Sequence, residues 1–540
     1  MTLRTIESIG DETSVGIRRS SDAWSLSSWF WVSAPITMSL VLLIFRLASG
    51  VAWPIGNEAL MVFALGAYLV GAVFLLTNLY APAEFAARIG KLGTSIGVFL
   101  NLSSWLFRWV EAYERELAVF ASQGRPISEM PWVFRYVPFA NLYDLSLAFA
   151  FGAGFITLLV LQKKELRSVA AFSLPLAAMI LVLARFIGGD FIDLPPVLDS
   201  YWRPIHVGIA SLSYGVALVC FAAAVLFLIK DGLRVEVIRF WVGVFVLGVL
   251  AAAGRFGLFA SGSFGVYGAS AFQSGSRIAT PIRVDLPWVG TLFLLTAICV
   301  VVAMAFGFLR MRRDDARYDL PGLASIAGAT LFQLLAILMI AYQIQTIKDV
   351  RPLISDRQMP QFAIWMLQQK GLPEQQIQAM PQNQLSSLGR DWVDENAGRL
   401  SLGFRANPVE HSAFLLAFCL LLFVSLFSFS PKRLRDALPE ASVLDDLVYK
   451  LAGAAFAGLA LLLITGAVWA NESWGRYWGW DSKEVGALVA WLAYAAFLHS
   501  RISRGWNGRR SAYFAIIAFL FVVFTYLGVS YLLPGLHSYA

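Results

Sequence analysis

Residues 206–229 read HVGIASLSYGVALVCFAAAVLFLI, one histidine followed by a run that carries no charge until Lys230. A helix rises about 1.5 Å per residue, so such a run crosses a hydrocarbon core of roughly 30 Å. Comparable runs recur at 28–50, 58–79, 92–110, 141–161, 168–187, 238–257, 287–309, 321–345, 411–430, 450–470, 484–500 and 511–533. Short loops separate them and carry the charges, whereas a membrane barrel alternates over roughly ten-residue strands. The runs therefore predict an all-α fold, a polytopic transmembrane helical bundle of about 13 spans. Composition agrees: the chain is 58% hydrophobic and 14% charged, far from a soluble globular domain.

An odd number of spans puts the two termini on opposite faces, and the Lys/Arg distribution selects N-terminus inside, C-terminus outside. In that arrangement the cytoplasmic segments hold about 23 Lys/Arg, Lys163, Lys164, Arg310, Arg312, Arg313, Lys432, Arg433 and Arg435 among them, against about nine in the short outer loops. The net charge of +7 is then a matter of topology and points to no nucleic-acid partner. No small-residue cleavage site follows the first apolar run, which reads as an uncleaved signal anchor. Cys220, Cys299 and Cys419 each lie in an apolar run and form no CxxC pair, so thiol chemistry is not expected of this chain. The segment 346–410 falls outside. Its stretch from Gln368 to Gln384, broken by Pro373 and Pro381, suggests short amphipathic helices on the membrane or a partner, or else a solvated linker.

The chain has four histidines. By this topology His206, His411 and His537 fall at outer helix ends, and His499 near an inner end. Two imidazoles from opposite sides can hold an iron macrocycle between helices. The plainer alternative is polar residues satisfied at the headgroup level. Residues 469–484 read WANESWGRYWGWDSKE, with Trp474, Tyr477, Trp478 and Trp480 in one short loop. An interfacial belt usually offers one or two rings per helix end, and four make a flat polarizable platform on which a porphyrin can stack. Arg476 or Asn471 can meet its acidic side arms. Asp481 and Glu484 have the spacing of a helix capping box.

The run Trp474-Gly-Arg-Tyr-Trp478-Gly-Trp480-Asp481-Ser-Lys-Glu484, followed by Leu488, Trp491, Tyr494 and His499, resembles the WWD signature of heme-handling proteins. Its form is that of the CcsA (ResC) family of system II cytochrome c biogenesis. Pro138-Phe-Ala-Asn141-Leu142-Tyr143-Asp144 is similar to another family segment, with Asp in place of Glu. Trp202-Arg-Pro-Ile-His206 with Ser213-Tyr214, and Gly535-Leu-His537-Ser-Tyr, complete the resemblance over roughly 130–230 and 441–540. Ser482 stands where the family usually has proline.

The resemblance implies a heme-handling subunit of a cytochrome c synthase, the heme lyase complex formed with CcsB (ResB). Heme b is delivered across the membrane and presented to CxxCH of apocytochrome c. It implies that His206 and His537 are axial ligands of the heme iron, that Trp474, Trp478, Trp480 and Asp481 hold the heme, and that His499 serves a second, intramembrane site. Nothing in the chain resembles CcsB, so that partner is expected as a separate protein. The setting is lipid, in a bacterial inner or thylakoid-type membrane, with the WWD loop on the periplasmic or lumenal face. The division expected is 1–135 for N-terminal helices, 136–231 for the first part of the core, 232–440 for an insertion containing loop 346–410, and 441–540 for the WWD core. His206 is favoured over His411, whose surroundings lack the matching tryptophan and Ser-Tyr. Competing readings are a heme transporter without ligation activity and a noncatalytic assembly subunit.

Overall fold

The computed structural model describes residues 26–49, 53–130, 132–189, 191, 196–198, 200–253, 266–273, 279–370, 372–403 and 408–529. The first six helices are α1 Leu26–Ser49, α2 Asn57–Tyr80, α3 Glu84–Ser122, α4 Leu142–Val160, α5 Arg167–Ile187 and α6 Trp202–Lys230. Then come α7 Val235–Ala253, α8 Val289–Arg313, α9 Asp319–Thr346, the short α10 Met359–Gln369, α11 Glu374–Gln378 and α12 Gln382–Asn396. The last are α13 Pro408–Phe429, α14 Pro431–Ala437, α15 Ala441–Trp474, α16 Ser482–Arg504 and α17 Arg509–Val523.

Among the described residues ten helices are long and apolar enough to cross a membrane, and α13 with α14, bent by 93°, makes an eleventh. The run 92–110 falls in α3, and the described part of the run 238–257, up to Ala253, falls in α7. The chain is a polytopic, largely α-helical membrane protein.

It is not wholly α-helical, and the all-α expectation is corrected. Strands β1 Val266–Gln273, β2 Ala279–Asp285 and β3 Leu400–Gly403 form one antiparallel sheet in the order β2-β1-β3, with Ser270 opposite Gly403. β3 pairs with a strand far away in sequence, a contact that local periodicity does not encode. Helices α10, α11 and α12 bury Ala363, Met366, Leu367, Ile377 and Leu385 against one another, and Trp365 meets Trp392 edge-on at 4.7 Å. Helices α10–α12 are thus folded rather than a solvated linker: they cover one another in part, and Val350, Ile354, Phe362, Val393 and Leu400 pack into the cluster of α7, α8, α9 and α13.

Two large apolar clusters divide the bundle. One joins α2–α6 with α15, α16 and α17; the other gathers α7, α8, α9 and α13. Small residues let the first pack closely, the usual device where lipid removes any hydrophobic drive between helices. Tyr68 of α2 fills a notch in which a Cβ at Gly97 or Gly154 would lie 2.2 or 2.1 Å from its side chain. Just beyond α6, Arg435 of α14 donates to the Ile229 and Leu233 carbonyls at 3.2 and 2.8 Å, tying the turn after α6 to α14. Beside the C-terminal end of α16, Arg501 grips Asp445 of α15 with bonds of 2.8 and 2.6 Å.

Candidate functional site

At the opposite end of the bundle, the N-termini of α4, α6 and α16 meet the C-terminal part of α15 around an open cavity of about 140 Å3. Local sequence fixes each wall. Asn141 caps α4, its side-chain oxygen accepting the Asp144 N–H at 2.9 Å, as short polar residues do at helix starts. The Asp144 carboxylate accepts the Ala140 N–H at 2.9 Å and the Arg108 Nε at 2.9 Å. Tyr143 beside it donates to the Asn57 side-chain oxygen at 2.7 Å, so α2, α3 and α4 are tied together at this end.

His206, in the first turn-and-a-half of α6, lines the cavity and lies against α15. Its Nδ1 is 3.0 Å from the Leu462 carbonyl, which can only accept, so Nδ1 donates in this contact. Gly466 makes this approach possible, since a Cβ there would stand 2.8 Å from the His206 Cε1. The Trp469 ring stands 5.7 Å from the imidazole.

The tryptophan loop begins where α15 ends. Gly475 takes a left-handed conformation (φ 70°) and its N–H bonds the Asn471 carbonyl at 2.9 Å, terminating the helix. The loop closes on the capping box expected from sequence. Asp481 accepts from the Lys483 N–H at 3.2 Å, and Glu484 accepts from Asp481 N–H at 3.1 Å and Gly479 N–H at 2.8 Å. Trp480 sits between these anchors at φ 57°, a left-handed backbone uncommon for a bulky residue, and is 73% exposed. Removing the Glu484 carboxylate should cost about 1–2 kcal/mol. Glu484→Ala is expected to speed amide exchange at Gly479 and Asp481, and Glu484→Gln to leave it slow; equal exchange in both would mean that the loop holds itself.

Trp474, Tyr477 and Trp478 line the cavity together with His206, Trp469 and Tyr214. Trp480 and Asp481 do not line it; Trp480 stacks edge-on with Trp478 at 5.8 Å, and Asp481 is buried as the cap. Arg476 and Asn471 do not line it either, the Arg476 guanidinium lying under Gly479. Lys483 does, a residue to which the sequence reading gave no role. Trp469 was quoted with the loop but given no role; its place three residues after Gly466 on the helix facing α6 was the missed signal.

His499 is on α16, 12 residues beyond Ala487, the last residue of that helix to line the cavity, and so about 18 Å along the helix from it. It is exposed, with Ser503 Oγ 3.4 Å from Nδ1. His411 belongs to α13, which packs on α7 and α9, and its side chain lies outside the described residues, as does His537.

A family model described as cytochrome C assembly protein matches residues 139–259 and 411–537. Similar relatives include the cytochrome c biogenesis protein CcsA of Gloeobacter violaceus, 54% identical over 99 residues, which are 18% of this chain and 29% of that protein. CcsA of Rippkaea orientalis is 49% identical over 118 residues, 22% of this chain and 33% of the relative. CcsA of Trichormus variabilis is 52% identical over 110 residues, 20% and 30% of the two. The chain belongs to the CcsA/ResC cytochrome c biogenesis family. The match to each of these CcsA proteins spans about a third of its length. The two segments of the family model contain the cavity walls contributed by α4, α6, α15 and α16, and they leave 260–410 unmatched.

Proposed function

We propose that this chain is the heme-handling subunit of a cytochrome c synthase, which delivers heme b across the membrane and presents it to CxxCH of apocytochrome c. One observation carries it: among the described residues, the His206 imidazole, its Nδ1 3.0 Å from the Leu462 carbonyl, lines an apolar cavity with Trp469, Trp474 and Trp478. A flat aromatic macrocycle with a central metal suits those groups, because indoles offer stacking surfaces and imidazole is a common axial ligand. His206 supplies one axial nitrogen in this proposal and His537 the other. His499 belongs to a second, intramembrane heme site completed by a separate CcsB-like chain.

The topology that goes with this function has about 13 spans, counting α3, α7 and α13, with the N-terminus inside. It turns the cavity to the periplasmic or lumenal face of a bacterial inner or thylakoid-type membrane. Residues 1–135 and 232–440 are then additions around a core formed by 136–231 and 441–540. The chemistry is addition of each substrate thiol across a heme vinyl group: sulfur bonds one carbon, and the thiol proton passes to its neighbour. Catalysis is chiefly positioning, since holding the two groups together makes the addition effectively intramolecular.

Heme spectra of the purified protein test the proposal. Wild type should show six-coordinate, low-spin bands. His206→Ala should lose heme or become high-spin, and added imidazole should restore the low-spin bands. Spectra indifferent to both His206→Ala and His537→Ala would sink the ligand assignment. Co-expression with a CcsB-like partner and a CxxCH reporter separates the functions, because heme export without covalent attachment would make the chain a transporter.

A further inference from the structure

The His206 imidazole lies against one face of α15, on which Leu462, Gly466 and Trp469 follow one another at helical spacing. Its Nδ1 is 3.0 Å from the Leu462 carbonyl and 3.4 Å from Thr465 Oγ1, and the Trp469 ring stands 5.7 Å away. A Cβ at Gly466 would lie 2.8 Å from the imidazole Cε1 and 3.1 Å from Nδ1. Carbon atoms pack at roughly 3.5–4.0 Å, so ring and methyl group cannot both keep those places. The nearest atoms to the added carbon all belong to the far end of one side chain, and none to backbone. The imidazole would therefore give way, and the two helices would not.

We propose that Gly466 is a positioning residue for the metal ligand: its bare backbone admits the imidazole to the Leu462 carbonyl, which holds Nδ1 and leaves the metal to Nε2. This rests on the heme-handling function proposed above and adds how α15 selects the ligating nitrogen and fixes the ring. A ligating histidine whose other nitrogen donates to a carbonyl is held in one orientation and is a stronger base toward its metal. A methyl group at 466 turns the ring off the carbonyl and leaves the rest of the crossing of α6 with α15 in place. The damage falls on ligation and hardly on folding, since alanine is also the better helix former.

The experiment compares full-length wild type, Gly466→Ala and Gly453→Ala in detergent; a Cβ at Gly453 of the same helix meets nothing within 4 Å. Without heme, Gly466→Ala should unfold near the wild-type temperature. It should nonetheless bind hemin roughly tenfold to hundredfold more weakly, the usual cost of disturbing the outer partner of a metal ligand. Its hemin complex should shift from low-spin toward high-spin, and added imidazole should restore the low-spin bands. Gly453→Ala should match wild type throughout. Both substitutions are then placed on His206→Ala, which opens the space that the new methyl group needs. There Gly466→Ala should change neither hemin affinity nor unfolding temperature, because its effect passes through the imidazole. Undiminished affinity and low-spin bands in Gly466→Ala would overturn the proposal for Gly466 alone. So would a loss of affinity or of thermal stability that persists on the His206→Ala background, which would make Gly466 a packing residue of the helix crossing. Failure of wild type to bind hemin at all would overturn the functional proposal as well.

Discussion

Asp144→Ala is expected to lower the stability of the bundle by about 3–5 kcal/mol, because it breaks a buried ion pair by removing one partner. The side chains are only 1% and 3% exposed, and their bond is 2.9 Å. Arg108 also donates to the Gly189 carbonyl and stacks 3.7 Å over the Phe191 ring. Those contacts hold the cation in place and prevent it from reaching water when its partner is removed. Asp144→Glu keeps the charge, as in the family's own motif, and adds one methylene to a packed site; the cost should fall to about 1–3 kcal/mol. The double variant Arg108→Met with Asp144→Leu should recover most of the loss, since buried pairs are often replaced by apolar residues at little cost. Recovery will be incomplete, because the Ala140 N–H also loses its acceptor. Unfolding of the four proteins in mixed micelles checks the cycle. A single-variant loss below about 1 kcal/mol would show that water reaches the pair. The pair has structural reach beyond its own bond: it fastens α3, which precedes the family match, to α4, the first helix within it.

What sequence revealed and what it hid divide along physical lines. Apolar runs such as 206–229 and 450–470 were legible because membrane solvation acts residue by residue, and each became a helix of spanning length, α6 and α15. The Asp481–Glu484 capping box was legible for the same reason: cap and acceptor are three residues apart, and the bonds form locally. The β sheet was not, because β3 finds β1 across more than a hundred residues. The cavity was half legible. Motif order brought His206 and the WWD loop together as a pair. The Leu462 carbonyl that faces the imidazole Nδ1, and the Gly466 notch that admits the ring, belong to the crossing of α6 with α15, which no single segment encodes.

Gly215→Ala should be among the most damaging single-methyl additions in the core, even though alanine favours helix by about 1 kcal/mol over glycine. A Cβ at Gly215 would stand 2.4 Å from the Gly152 carbonyl carbon and 2.6 Å from the Ala153 nitrogen, both backbone atoms of α4. No side-chain rotation relieves that overlap. The two helices must part, and the displacement is shared by every layer between them. Overpacking of this kind costs about 1–3 kcal/mol or more, enough to outweigh the propensity gain. His206 lies nine residues before Gly215, about 13 Å along α6, while Asn141, Leu142 and Leu145 at the start of α4 line the same cavity. Parting α4 from α6 therefore widens the cavity on one side of the imidazole without touching it. Gly208→Ala on the same helix is the matched comparison, since its added methyl meets nothing within 4 Å. Gly208→Ala is expected to unfold at or slightly above the wild-type temperature, and Gly215→Ala several degrees below it with weakened heme binding. Equal stabilities for the two variants would mean that α4 and α6 do not cross on bare backbone.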